Sequence, residues 1–317
     1  MKVLVTGVAG FIGSHLAEFL VARGDEVVGI DAFSDYYPRS LKEANIASLR
    51  EEENFHLIEG DLVTLPLSEL LTGVEIVFHQ AAQAGVRASW GESFGVYTDT
   101  NVLATQRLLE ACRGRDLHRF VYASSSSVYG DTADLPMKEE TTRPRPVSPY
   151  GVTKLAGEHL CYLYWKNFRI PTVSLRYFTV YGPRQRPDMA FHKLMKAVRR
   201  GETFPLYGDG EQTRDFTYVS DVVRANLLAA TAQGVAGAVF NIGGGGRITM
   251  NELICLVSEV SGESVNFQRS DPQKGDVRHT SADLSLAGEK LGFSPEVSLR
   301  EGLARQWTWI CEVYGKR

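Results

Sequence analysis

The chain has 317 residues, with 34 Lys and Arg against 38 Asp and Glu and a formal net charge of -4. That length buries a large core, as one big α/β domain or as two, and the balance leaves no basic footprint for nucleic acid or an anionic membrane surface. No apolar run approaches the about 18 residues of a membrane helix, and Met1-Lys2 leads into too short an apolar run for a signal peptide, so a cytoplasmic protein is expected.

In chain order, the runs 3–6, 27–30, 56–59, 76–79 and 119–123 are short and β-branched or aromatic, and they alternate with helical patterns such as 11–23 and 101–113. This alternation predicts an α/β fold: a Rossmann-type doubly wound parallel sheet, covered by helices on both faces, with ligands outside the carboxyl ends of its strands. Between the first strand and the first helix stands Gly7-Val8-Ala9-Gly10-Phe11-Ile12-Gly13. Its glycines permit a tight turn and a close approach to a pyrophosphate, which would meet the free N–H groups of the helix N-terminus. The spacing is GxxGxxG, because Val8 stands where the usual GxGxxG has its second glycine, and a plain structural turn is the competing reading. Gly7, Gly10, Phe11, Ile12 and Gly13 are the candidate cofactor residues here. Asp31 ends the second strand, where a carboxylate accepts hydrogen bonds from an adenosine ribose and repels a 2′-phosphate, so NAD is expected over NADP. Asp61-Leu62 after the third strand would flank the adenine. Ala81-Ala82-Gln83-Ala84-Gly85 after the fourth is small enough for backbone to run beside a cofactor.

The fifth strand ends in Ala123-Ser124-Ser125-Ser126-Ser127-Val128-Tyr129-Gly130, either a polar turn or a row of neutral hydrogen-bond donors. Tyr150-Gly151-Val152-Thr153-Lys154 then opens a helix behind Ser148-Pro149, and the four-residue spacing puts Tyr150 and Lys154 on one face. A nearby ammonium lowers a phenol's pKa, as would a cationic nicotinamide, which makes Tyr150 a candidate general base near neutral pH. After about residue 180 the segments shorten, with strand candidates at 204–207, 216–219 and 239–242. Capping boxes start at Thr249-Met250-Asn251-Glu252 and Ser298-Leu299-Arg300-Glu301, and the glycine run 243–246 reads as a flexible turn. A dinucleotide-binding part over 1–180 and a smaller substrate-binding lobe mostly over 181–317 are expected, with interleaved boundaries. Cys112, Cys161, Cys255 and Cys311 read as small core residues in a reducing compartment. Neither they nor the seven histidines show metal-ligand spacing, so no metal is expected.

With these residues in place, the chain resembles the extended short-chain dehydrogenases/reductases of the nucleotide-sugar epimerase/dehydratase family over essentially its whole length. The resemblance implies NAD as cofactor and a catalytic set of Ser125, Tyr150 and Lys154. Tyr150 would be the base, Ser125 would hydrogen-bond the reacting sugar hydroxyl, and Lys154 would hold the nicotinamide ribose and tune Tyr150. It also implies a structural asparagine at Asn101, counted with the cofactor residues, and Tyr177 beside the cofactor. Arg214 in Arg214-Asp215-Phe216 and Arg278 in Val277-Arg278-His279 match diphosphate-binding arginines. A homodimer through two helices per subunit, near 101–113 and 149–167, is implied as well, with Tyr162, Leu163, Tyr164 and Trp165 available either to that patch or to the core.

Family members begin alike, passing hydride from sugar C4 to NAD. The family's dehydratases carry an Asp-Glu pair after the catalytic Ser/Thr and its decarboxylases a nearby Glu, whereas this chain has Ser126 and Ser127. That leaves epimerisation. Gln83-Ala84-Gly85-Val86-Arg87, the serine row, and the stretch from Phe178-Thr179-Val180-Tyr181 to Arg186-Pro187-Asp188 resemble UDP-glucuronate 4-epimerases in particular, while hexose 4-epimerases usually have Asn where Thr179 stands. A C6 carboxylate wants neutral donors if no proton is exchanged there, and Ser125, Ser126, Ser127 and Thr179 supply them, with Arg87 or Arg186 as cationic partner. A 4-keto uronate is a β-keto acid that loses CO2 when its C5–carboxylate bond stands perpendicular to the carbonyl, a geometry that several hydrogen bonds restrain. The expected reaction is UDP-glucuronate to UDP-galacturonate. A UDP-glucose/UDP-galactose or N-acetylhexosamine 4-epimerase is the nearest alternative, ahead of a decarboxylase or a 4,6-dehydratase. A non-catalytic NAD or nucleotide-sugar binding protein is the alternative of another class.

Overall fold

The computed structural model describes residues 1–271 and 273–315. Its strands in chain order are β1 Lys2–Thr6, β2 Glu26–Asp31, β3 Phe55–Glu59, β4 Ile76–His79, β5 Arg119–Ser125, β6 Thr172–Tyr177, β7 Thr179–Tyr181, β8 Phe204–Tyr207, β9 Thr213–Tyr218, β10 Val239–Ile242, β11 Arg247–Thr249 and β12 Phe267–Ser270. Seven form one sheet in the order β10-β6-β5-β4-β1-β2-β3, and every neighbouring pair is parallel. The order reverses at β1, which lies between β2 and β4, so a crevice opens outside the carboxyl ends of β1 and β4.

Both faces of this sheet are covered, which is why β4, β5 and β6 are buried along their whole length. The pleat sends alternate residues of β1 to opposite sides: Val3 and Val5 join one core, Leu4 the other. The first core includes Leu16 and Leu20 of the helix Phe11–Ala22 and Val222 of the helix Val219–Thr231. The second takes Leu108 from Ala104–Ala111 and Cys161 from Pro149–Phe168. Strand β10 brings the second half of the chain back into the large sheet, while β11-β9-β7 and β12-β8 form two small sheets.

Four local expectations change. The helix expected over 101–113 is assembled from Phe94–Thr98, a wide π-helical turn Asp99–Leu103 and Ala104–Ala111, and Asn101 sits in the wide turn, where π-bulges often mark functional positions. The glycine run after β10 is not a loose turn, because Gly244 N–H donates to Asp215 Oδ1 at 2.7 Å and Ala282 N–H to Asp215 Oδ2 at 3.0 Å. Cys112 and Cys161 are buried as expected, but Cys255 is exposed and Cys311 half-buried. Of the two capping boxes, Thr249–Glu252 is reciprocal, whereas at Ser298 the structure shows the hydroxyl accepting from Glu301 N–H. Among the described residues no helix is long and apolar enough to cross a membrane.

Candidate active site

A cavity of about 340 Å³ lies at the carboxyl ends of β1, β2, β4 and β5. Gly7, Gly10 and Gly13 line it together with Phe11, Ile12, Asp31, Asp61, Leu62, Ala81, Ala82 and Gln83. Gly10 N–H donates to Gly7 O at 3.0 Å, and a Cβ on Gly13 would stand 2.2 Å from that same oxygen, so the loop closes over the helix N-terminus only with glycine there. Val8, the departure from the usual fingerprint, is fully buried against Gly29 and leaves the cavity side clear. Asp31 is fixed by two backbone donors, Ala9 N–H at 3.0 Å and Phe33 N–H at 2.8 Å. Burial raises its carboxyl pKa, with those two hydrogen bonds and the Lys42 ammonium pulling the other way. Asp61 accepts from Val63 N–H at 2.8 Å. The cradle fits a dinucleotide: there is no Cβ where phosphates approach a helix N-terminus, and a held carboxylate closes the end of β2.

Asn101 does not line this cavity. Its buried amide accepts from Gln83 N–H at 2.8 Å and donates to Gln83 O and Thr153 Oγ1 at 3.0 Å each. It therefore ties the loop after β4 to the helix of Tyr150 from outside the cavity.

A second cavity, of about 580 Å³, adjoins the first, and both are lined by Phe11, Ile12, Tyr36, Ser124, Tyr150, Tyr177 and Arg186. Tyr150 thus stands at the boundary. Its helix begins at Pro149 behind Ser148, whose hydroxyl accepts from Gly151 N–H at 3.1 Å. A Cβ on Gly151 would come within 2.6 Å of Ser127 O, so the helix start is pressed onto the serine row. Ser125 Oγ donates to Ser127 Oγ at 3.1 Å and accepts from Ser127 N–H at 3.2 Å, which caps a short turn. Ser126 and Ser127 line the second cavity, facing the same space as Tyr150.

The electrostatics differ from the expectation in one respect. Lys154 Nζ donates to Ala123 O at 2.8 Å, and burial lowers the ammonium pKa to about 7. The Tyr150 phenol is raised, not lowered: burial dominates, and the opposing influences are the Ser125 hydrogen bond and the Arg186 guanidinium. The reason is that the ammonium is turned onto the end of β5, while desolvation acts on the whole phenol. Tyr177 lines both cavities, and its hydroxyl donates to Asn226 Oδ1 at 3.0 Å.

The far wall of the second cavity comes from the second half of the chain: Thr179, Phe204–Tyr207, Gln212, Arg214, Phe216 and Met250. Arg186 pairs with Asp188 through two contacts of 3.0 Å, Tyr36 OH donates to Asp188 Oδ2 at 3.2 Å, and Arg186 lies near Tyr150. Arg87 has different partners from those expected. It bonds Asp276 at 2.6 Å and stacks on Tyr207 at 4.3 Å, near Arg214 and with no contact to the serine row. Arg214 lines the cavity and donates to Val277 O at 2.7 Å. Arg278 does not reach the cavity: it is exposed and pairs with Asp209 through two 2.8 Å bonds, meeting Arg214 only through its carbonyl.

Residues 3–243 match the profile of the NAD dependent epimerase/dehydratase family. The chain belongs to this family. Within it, the chain is similar to UDP-glucuronic acid 4-epimerase from Bacillus cereus, whose crystal structure in complex with UDP-glucuronic acid and NAD superposes with a TM-score of 0.96 at 46% identity, covering 99% of this chain and 100% of that one. YtcB of Bacillus subtilis, named as an uncharacterized UDP-glucose epimerase, is 45% identical over 315 residues, 99% of each chain. UDP-glucuronate 4-epimerase of Thermodesulfobacterium geofontis is 36% identical over 313 residues, 98% of this chain and 96% of that one.

In this epimerase/dehydratase-family chain the fold brings the glycine loop, Asp31, the serine row, Tyr150, Lys154, Thr179, Arg186 and Arg214 to two adjoining cavities. Sequence reasoning missed the aromatic and apolar wall of Phe204, Leu206, Tyr207 and Met250, and also Tyr36. The doublet Tyr36-Tyr37 just past Asp31 was a readable signal for the last of these.

Proposed function

We propose that this protein is an NAD-dependent 4-epimerase that interconverts UDP-glucuronate and UDP-galacturonate and retains the C6 carboxylate. The observation that carries the reading is the row Ser125, Ser126 and Ser127 on the cavity wall beside Tyr150, where relatives that eliminate water or CO2 would hold acids. The B. cereus relative, bound to UDP-glucuronic acid and NAD, supports it.

NAD, when bound, supplies the hydride acceptor and donor for C4 and a positive charge beside the phenol. Tyr150 takes the proton of the 4-hydroxyl as C4 is oxidised and gives it back to O4 when C4 is reduced from the other face, so the protons balance over one turnover. Ser125 hydrogen-bonds that oxygen. Ser126, Ser127 and Thr179 donate to the carboxylate and hold it away from the orientation that releases CO2. Arg186, near Tyr150 on the wall of this cavity, is the cationic partner, partly neutralised by Asp188. Arg214, joined by Arg87, takes the diphosphate. Arg278 joins them only by leaving Asp209, and an exposed pair screened by water opens readily. The glycine loop holds the dinucleotide phosphates, Asp31 the adenosine ribose, Asp61 and Leu62 the adenine, and Lys154, Tyr177 and residues 81–83 the nicotinamide half. In this reading the dinucleotide falls to residues 1–180 and the nucleotide sugar mostly to 181–317, with β10 crossing back.

A homodimer is part of the reading. Val96, Leu103, Val152, Tyr162 and Leu163 are exposed on the two neighbouring helical segments, a patch of the kind that marks an interface. Tyr164 is not available to it, being buried and bonded to Glu110. Light scattering should return the mass of two chains, and the mass of one would contradict the dimer. The free thiols fit a reducing compartment such as the cytoplasm.

The test is incubation with UDP-glucuronate, with products followed by NMR. UDP-galacturonate is the expected product. Rapid exchange of UDP-glucose and UDP-galactose without uronate turnover would favour the reading that YtcB's name suggests, and UDP-xylose or a 4-keto-pentose would overturn retention of the carboxylate.

A further inference from the structure

The mechanism leaves one buried charged cluster unused. Glu158 lies one helical turn beyond Lys154 on the helix Pro149–Phe168, and Arg176 lies on β6 in register with Ser124 of β5. Arg176 Nε and Nη2 donate to the two Glu158 carboxylate oxygens at 2.9 and 2.8 Å, and both side chains are 5% exposed. Ser124 Oγ donates to Glu158 Oε1 at 2.5 Å. The guanidinium also lies over the Tyr129 ring at 4.6 Å, and Tyr129 OH donates to Asn241 Oδ1 at 2.8 Å.

A buried ion pair is a poor source of stability, since desolvation offsets most of the attraction and an apolar pair of equal volume often does as well. This one also leaves Arg176 Nη1 buried with no hydrogen-bond partner among the described residues. What it does fix is register. Two successive residues of β5 bond the Tyr150 helix, Ala123 O accepting from Lys154 Nζ and Ser124 Oγ donating to Glu158, and the next, Ser125, lines the cavity with Tyr150. The Ser124 contact anchors the strand between the two reacting groups.

We propose that the Glu158–Arg176 pair is a positioning element for the reaction, locking Ser124, and with it the end of β5, to the helix that carries Tyr150 and Lys154. It rests on the assignment of Ser125, Tyr150 and Lys154 to the chemistry given above. A second consequence is electrostatic. Lys154 is faced by Glu158 and Cys161 on its own helix, by His79 from β4 and by the Tyr122 ring from β5 at 5.2 Å. His79 is held neutral by burial, with a pKa of about 3. Cys161 and the Arg176-paired Glu158 are the groups that favour the charged ammonium against burial. Removing the Glu158 charge lowers the Lys154 pKa further, so the ammonium is lost at lower pH.

The test uses the full chain with NAD and UDP-glucuronate, comparing wild type, Glu158→Gln and Ser124→Ala from about pH 6 to about pH 9. Glu158→Gln should keep KM near wild type, lose on the order of tenfold in kcat at the alkaline end, and move the alkaline limb of kcat down by roughly one pH unit. Ser124→Ala, which leaves the ion pair in place, should fold as wild type and lose roughly threefold to tenfold in kcat with the limb unmoved. Wild-type kcat and an unmoved limb in Glu158→Gln, or a loss confined to KM, overturns the proposal. If Glu158→Gln does not fold, Ser124→Ala decides alone, and wild-type kcat there overturns it. Wild type inactive on every UDP-sugar sinks the functional reading itself, and this inference with it.

Discussion

Tyr150→Phe is expected to lower kcat on UDP-glucuronate by about 10³-fold, with the fold, KM and NAD binding close to wild type. The substitution removes one oxygen and keeps the ring, which packs edge-on to Tyr97 at 6.3 Å. The lost oxygen belongs to the side chain at the boundary of the two cavities, on the same wall as Ser125. A positioned general acid–base contributes about 10²–10⁴-fold, and here one group serves both half-reactions, so the loss falls in kcat. Steady-state kinetics with thermal unfolding as the folding control reads this. A variant within tenfold of wild type would remove Tyr150 from the chemistry.

Gly13→Ala is expected to weaken NAD binding by at least about tenfold and to destabilise the chain by about 1–3 kcal/mol, the usual cost of overpacking. The added Cβ would sit 2.2 Å from Gly7 O and 3.1 Å from Val8 Cα, and these are backbone atoms that cannot swing aside as a side-chain tip would. The loop must open, and it is the loop that presents the helix N-terminus to the phosphates. Gly95→Ala is the control. That glycine is helical with nothing within 4 Å of its would-be Cβ, so the same replacement should be neutral or slightly stabilising. Isothermal titration with NAD and scanning calorimetry separate the two, and equal behaviour of both variants would contradict the close-approach account.

Much of this site was legible because its signals are local. The glycine loop, Asp31, the serine row and the pair Tyr150/Lys154 each follow a strand or open a helix, and periodicity alone places strand ends at the mouth of a parallel sheet. What was not legible depends on partners far along the chain. Arg87 and Asp276 are 189 residues apart, and nothing in the stretch around Arg87 announces that its guanidinium is already engaged. Arg278 matched a diphosphate motif, but its pairing with Asp209 is settled by the fold of the second half. The wide turn at Asn101 follows hydrogen bonds to Gln83 and Thr153 that a helical pattern cannot show. Ser124 looked like one hydroxyl of four and is the one bound to Glu158, although it lines both cavities and Ser126 and Ser127 line the second. The depressed phenol expected from the Tyr–Lys spacing failed for a related reason: spacing fixes a shared helix face, whereas burial and the turn of Lys154 onto Ala123 fix the charge.

The central claim is that the chain oxidises C4 beside a carboxylate and leaves that carboxylate in place. UDP-glucuronate labelled with carbon-13 at C6 tests it most directly, with the label followed through a complete time course. The account predicts that the label passes into UDP-galacturonate until the two uronates reach equilibrium, with none appearing as carbon dioxide or bicarbonate. Label released as carbon dioxide in step with substrate loss would contradict it.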